Sequence, residues 1–216
     1  MKSAASPMTA APAKRRRLST QEREEQILAG AVAFFAEHGL EAQTRDLAKA
    51  IGITHPLLFH YFPTKQALID RVYERVYLGR WKHEWEQWVV DPSMPFEARL
   101  CRFYCDYARM ALTRDWVRIL LFSGLKDGYI PHRYLGVLRE RIFPLIVRET
   151  RAYLGFAPRP EPTDAELEHL WGLHGGIFHL GVRIRVYHEP EPADLDAVVH
   201  QRVHAFIVSA GAIFLP

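Results

Sequence analysis

The stretch GITHPLLFHYFPTK, residues 52–65, constrains this chain more than any other. Gly52 stops one helix, and Thr54 offers a hydroxyl to cap the next. Pro56 then falls in a first helical turn, where its missing N–H costs nothing. Leu57, Leu58, Phe59 and Phe62 give this short segment an apolar load, and Pro63 ends it. Thr64 caps the helix that follows. Upstream, Thr44 to Ile51 predicts another short helix, with Leu47, Ala48 and Ile51 inward. Two short helices joined by Gly52-Ile53-Thr54 have the spacing of a helix-turn-helix, whose second helix projects from its module.

The rest of the chain reads as helix throughout. Residues 20–38 repeat Ile27, Leu28, Ala31, Phe34 and Phe35 on one face, with Thr20 as cap and His38-Gly39 as stop. Thr64 to about Val89 predicts a fourth helix. Phe96–Thr113, Asp115–Lys126 and Pro131 to about Leu154 predict three more, the last kinked by Pro144. The Pro-rich stretch from Ala157 is a linker, after which Asp164–Tyr187 and Ala193 to about Ile213 predict the final pair. No strand alternation competes, so the expected fold class is all-α with nine helices.

Composition sets limits on this reading. With 216 residues and 49% hydrophobic content, the chain can bury a sizeable core. No run approaches the ~20 apolar residues of a membrane span, so no membrane partner is expected. Lys2 is followed by no apolar stretch, so no secretory signal is expected, and two cysteines suit a reducing cytoplasm. The net charge of +3 is unevenly spread. Residues 1–17 carry five basic groups and no acid, residues 18–65 net to −2, and residues 66–216 net to zero. A basic arm beside a compact module suggests a polyanion partner, and a solvated, disordered tail is the competing reading.

Residues 20–70 resemble the TetR family of bacterial transcription regulators. The resemblance is carried by Arg23…Ile27-Leu28…Ala31…Phe34-Phe35…Gly39, by Arg45-Asp46-Leu47-Ala48…Gly52-Ile53-Thr54, and by Leu58-Phe59-His60-Tyr61-Phe62-Pro63-Thr64-Lys65…Leu68. It implies a nine-helix TetR-like fold: a basic arm (1–17), a three-helix DNA-binding head (18–65) and a ligand-binding and dimerisation body (66–216). The third helix would enter the major groove of a palindromic double-stranded operator, with Thr54, His55, Pro56 and Leu57 at the base edges. Phosphate contacts would come from Thr44, Arg45, His60, Tyr61, Thr64 and Lys65. The arm residues Arg15, Arg16 and Arg17 would reach the neighbouring minor groove or phosphates. The last two helices would form the homodimer. The chain departs from the family pattern at Phe59, where many relatives have Tyr, at Gln43, where many have Ser or Thr, and at His55, where a basic residue is frequent.

The resemblance also implies a small-molecule effector, expected here to be aromatic or apolar. Candidate ligand contacts are Trp85, Trp88, Tyr104, Tyr107, Phe122, Trp171, His174 and Phe178, with ordinary core packing as the alternative for each. Arg102 and Arg109 offer an anion a partner, or lie solvated. Gly172, Gly175, Gly176 and Gly181 in one helix suggest the close approach of another helix. His200 and His204 with Asp196 share a face, but no third-ligand motif follows, and Cys101 and Cys105 read as buried small residues. No Gly-x-Ser-x-Gly, His-Glu-x-x-His or Gly-rich phosphate loop is present. No catalytic residue, metal or cofactor is therefore expected. The function expected is a ligand-responsive DNA-binding regulator, a repressor released by its effector; the alternative is a TetR-like regulator with no small-molecule effector.

Overall fold

The computed structural model describes residues 18–215, so the basic arm with Arg15, Arg16 and Arg17 lies outside the described residues. Among the described residues there are helices and no strands. All nine expected helices are present, and two of them are interrupted, so α-helical geometry is divided among eleven segments.

Helices α1 (Thr20–His38), α2 (Thr44–Ala50) and α3 (His55–Tyr61) form the N-terminal unit. The cap of α1 is Ser19 rather than Thr20: its Oγ accepts from the Glu22 N–H at 3.1 Å, and the Glu22 carboxylate accepts from the Ser19 N–H at 2.8 Å. The Ser-x-x-Glu spacing decides the matter, because only Ser19 stands three residues before a glutamate that closes the reciprocal pair. α2 ends as a Schellman motif, with Ile53 N–H bonded to Ala48 O and Gly52 N–H to Lys49 O. Gly52 has φ +70°, a left-handed conformation that favours glycine. α2 also crosses α1 at Gly30, where an added Cβ would overlap the Ile51 side chain.

The expected fourth helix is broken. α4 (Lys65–Val76), capped by Thr64 Oγ1 accepting from Ala67 N–H at 3.0 Å, gives way to a 3-10 turn at Leu78–Arg80 and an extended Trp81 before α5 (Glu84–Val90). Two side chains, Tyr77 and Arg80, hold the break through tertiary bonds. The buried Tyr77 hydroxyl donates to Trp116 O at 2.9 Å, and Arg80 donates to Thr113 Oγ1 at 2.9 Å and pairs with Asp115. These outweigh the local preference of one turn for α-geometry.

The remaining segments are α6 (Phe96–Ala111), α7 (Arg114–Lys126), α8 (Tyr129–Val137), α9 (Phe143–Tyr153), α10 (Asp164–Arg185) and α11 (Leu195–Ile213). Between α8 and α9 lies a π turn, Leu138–Ile142. Pro144 follows at once: it lacks the N–H for Glu140 O, and the wider turn makes room for its ring. The linker before α10 is pinned by Arg151, whose Nε donates to Ala157 O at 2.9 Å and which forms a buried ion pair with Glu166. The core is one continuous cluster from Ile27 to Phe214. No helix among the described residues is long and apolar enough to cross a membrane.

Candidate nucleic-acid interface and small-molecule cavity

The outer face of the N-terminal unit follows from its caps and its one buried row. Leu58 is the buried residue of α3, and Leu47 and Ala48 those of α2. Thr54, Pro56 and His60 are exposed, and His55, Leu57 and Tyr61 are half-buried. Thr54 Oγ1 accepts from Leu57 N–H at 3.3 Å. Thr44 Oγ1 and His55 Nε2 lie 3.0 Å apart, so a phosphate candidate and a base-edge candidate bond each other and tie the starts of α2 and α3 together. The His55 ring also meets Phe59 edge-on at 4.8 Å, giving Phe59 an apolar contact in place of a hydroxyl's polar one.

Charge pairing differs across the unit. Arg71 and Arg75 of α4 pair with Glu24 and Glu25 of α1. Arg45, Lys49 and Lys65 form no ion pair within 4 Å among the described residues, although Glu41 lies near enough to attract Lys65. Burial lowers the Lys65 ammonium, Glu41 opposes this and Lys126 adds to it. Asp46 is exposed on the same short helix, so the face is not uniformly basic.

Below this unit, α7, α8 and α10 line a cavity of about 330 Å³ that opens to solvent beside the exposed Leu125. Its walls include Trp116, Leu120, Tyr134, Trp171, His174 and Phe178. Three of the eight ligand candidates, Trp171, His174 and Phe178, are therefore together on α10. The other five lie elsewhere. Trp85, Tyr104 and Tyr107 are fully buried in the core, and Trp85 Nε1 donates to Asp106 at 2.8 Å. Trp88 stacks under the Arg102 guanidinium in an outer groove, and Phe122 lines an adjoining groove with Arg118, Val182 and Tyr187 that shares Leu121 and Leu125 with the cavity. Tyr107 still serves the cavity indirectly. Its hydroxyl lies 3.2 Å from His174 Nε2 and accepts from Tyr134 at 3.2 Å. Burial pushes His174 down to about 3, so the ring is neutral at physiological pH.

α7 touches both regions. Arg118 donates to the carbonyl oxygens of Ala36 and Glu37 at the end of α1, and Arg114 pairs with Glu37. The Phe122 ring lies 3.1 Å from where a Cβ on Gly39 would stand, and Gly39 itself has φ +78°. On the same helix, Trp116, Leu120, Leu121 and Gly124 line the cavity. Burial raises the Asp115 carboxyl, but hydrogen bonds from Arg80 and Thr113 outweigh it and hold it below the usual range.

The other constellations are engaged in different ways. Asp196 pairs with Arg109, and His204 with Glu97 at 3.0 Å. Burial pushes the Cys101 and Cys105 thiols up to about 11 and about 12, with Glu97 and Asp196 respectively adding to it. No group of His, Cys, Asp and Glu among the described residues is arranged to hold a metal ion. Gly176 and Gly181 are the close approaches in α10: a Cβ would stand 2.8 Å from the Arg202 guanidinium of α11 at the first, and 2.8 Å from Leu112 and Val117 at the second. Gly172 and Gly175 face open space within the chain.

α1–α3 thus define a helix-turn-helix unit with an exposed second helix. Residues 27–72 match the family model of bacterial regulatory proteins, tetR family. Solved structures share the fold across most of the chain. A TetR-like transcriptional regulator from Rhodococcus sp. RHA1 is 18% identical with a TM-score of 0.68, over 91% of this chain and 99% of that one. A tetR-family regulator from Streptomyces coelicolor is 19% identical with a TM-score of 0.61, over 90% and 84%. The fatty acid degradation regulator FadR from Bacillus halodurans is 17% identical with a TM-score of 0.58, over 89% and 97%. No match is found among curated proteins. The N-terminal unit is that of the TetR family, and the chain as a whole has the fold of these regulators.

Proposed function

We propose that this protein is a homodimeric transcription repressor that binds a palindromic operator and is released by a small, apolar or aromatic effector. Residues 18–65 act as the reading head and residues 66–216 as the effector and dimer body. The observation that carries the reading is α7, a single helix that walls the cavity and grips the end of α1. An effector that prefers one position of α7 would shift the balance between head positions, and only such a preference can do so. Arg45 and Lys65, which form no ion pair among the described residues, contact phosphates beside Tyr61 and the Thr64 cap, and Thr54, Pro56 and Leu57 face the base edges. His55 acts together with Thr44 as one bonded unit.

The dimer reading rests on α10 and α11. Gly172 and Gly175 are exposed and an added Cβ at either would meet nothing within 4 Å in the chain, although Gly175 also borders the cavity, and Val208 and Ile213 of α11 are exposed apolar residues. A second copy lying across these helices would bring the two heads about one or more DNA turns apart. The test is binding of the purified protein to DNA flanking its own gene, with and without small aromatic and anionic metabolites. Specific binding released by one compound supports the reading. Specific binding that no compound releases favours a regulator without an effector. Lack of specific binding at moderate salt overturns it.

A further inference from the structure

The cavity does not end at its own walls. It shares Leu121 and Leu125 with the adjoining groove of about 290 Å³, so the two form one apolar trough along α7 and α10. A single stripe of α10 borders both parts: Trp171, Gly175 and Phe178 at the cavity, Val182 and Val186 at the groove. Steps of three or four residues keep these on one face, and fifteen residues of helix span about 22 Å. Leu125 at the junction and Tyr187 at the far end are exposed, so the stripe is open to solvent along its length. The trough carries one charged side chain. Arg118 lines the groove with its guanidinium 5.3 Å from the Phe122 ring, and no other Lys, Arg, Asp or Glu lines either part. Its hydrogen-bond partners are neutral, the carbonyl oxygens of Ala36 and Glu37. The Glu37 carboxylate attracts it but is itself paired with Arg114. A second arginine, Arg139, lies over the Trp171 ring at the other end, outside the lining.

We propose that this trough takes one extended amphipathic molecule: an unbranched apolar chain that runs from the cavity over Leu121 and Leu125, with a carboxylate head that accepts from the Arg118 guanidinium. The inference rests on the effector reading above and names its ligand class. A long apolar trough with a cation lining one end selects for length and for sign together. A compact ring fills the cavity and leaves the groove wet, whereas a chain covers both. Each methylene taken fully out of water tightens binding about fourfold, and about twofold where half of it stays exposed. Arg118 is half-buried, so a carboxylate beside it keeps part of its water and avoids the penalty of a buried charge. An ionised acceptor also competes for the guanidinium with the neutral carbonyls of Ala36 and Glu37, so the ligand and the end of α1 draw on the same side chain.

Three probes on the full-length protein test this by calorimetry at pH 7.5: hexanoate, decanoate and 1-decanol. Decanoate is expected to bind about tenfold more tightly than hexanoate, from four further methylenes each partly buried. It is expected to bind about threefold or more tightly than 1-decanol, the size of a half-exposed ion pair. That advantage over the alcohol should vanish in Arg118→Gln and persist in Arg139→Gln. Leu125→Glu should weaken decanoate and leave the oligomeric state in sedimentation unchanged. Hexanoate equal to decanoate overturns the proposal, as does 1-decanol equal to decanoate in the unaltered protein. An advantage that is lost in Arg139→Gln and kept in Arg118→Gln overturns it too. A change of oligomeric state in Leu125→Glu would make the stripe an interface between copies and overturn it as well. Operator binding is measured alongside. If DNA binding is intact and no probe binds, the ligand inference falls alone. If decanoate binds as stated and the operator complex is unaffected, the site stands and the effector reading falls. If DNA binding is absent, the regulator reading falls and calorimetry alone decides the site.

Discussion

Replacing His174 by Gln should remove much of the protein's sensitivity to mild acid. The ring is enclosed by Tyr104, Tyr107, Phe143 and Trp171, and burial lowers it from the usual 6.5 to about 3. The unfolded chain therefore binds a proton at this residue between those two values while the folded chain does not. Stability is full above pH 6.5 and falls as the pH drops toward 3, by up to about 1.4 kcal/mol per pH unit. Between pH 7 and pH 5 the loss from this one group is about 2 kcal/mol per chain. Gln keeps a hydrogen-bonding partner for Tyr107 and does not titrate. Urea unfolding at pH 7 and pH 5, at one fixed protein concentration, measures both proteins. The loss between the two pH values should be about 2 kcal/mol greater in the unaltered protein than in His174→Gln, because all other titrating groups are shared. Equal losses in the two proteins would refute the reasoning, since His174 would then titrate alike folded and unfolded.

Arg118→Ala should lower stability by about 1–2 kcal/mol, because a charged donor leaves two helix-end carbonyls. Arg114→Ala should cost less than about 1 kcal/mol, since its pair with Glu37 is half-exposed; denaturant titration of the two variants checks the order. Gly181→Val should cost about 1–3 kcal/mol by crowding Leu112 and Val117. Gly172→Ala leaves the fold of one chain intact, so weaker dimerisation in sedimentation would locate the dimer seam there. Deleting residues 1–17 should weaken operator binding and flatten its salt dependence, because five basic groups are removed from a head that nets to −2; an unchanged salt slope would mean the arm contacts no phosphate.

The parts of the fold legible in the sequence are those set by neighbours in the chain. Thr54, Thr64 and Thr163 cap the helices they precede, and Gly52 ends α2. The break after α4 was not legible, because its determinants are distant: Tyr77 bonds the backbone 39 residues on, and Arg80 pairs with a carboxylate 35 residues on. The cavity shows the same division. Trp171, His174 and Phe178 recur at helical spacing and share a face of α10. Trp116 and Tyr134, which complete the walls, carry no mark that sets them apart from Trp85 or Tyr104. Periodicity marks the apolar side of a helix but not which apolar residues border a void. The bond between Thr44 and His55 is hidden likewise, since it depends on the angle at which α2 meets α3.

α7 carries its two tasks on separate rows. Arg114, Arg118 and Phe122 recur every four residues, and so do Trp116, Leu120 and Gly124. A shift of two residues turns a helix by about 200°, so the rows lie on nearly opposite sides, with Leu121 the wall residue that borders both the cavity and the groove of Arg118 and Phe122. What the cavity accepts can therefore be rewritten along Trp116, Leu120 and Gly124 while Leu121, beside the grip on α1, is kept. A lineage changing its chemical signal need not relearn its operator, and an engineer redesigning the pocket at Leu120 or Gly124 starts with the linkage to DNA already in place.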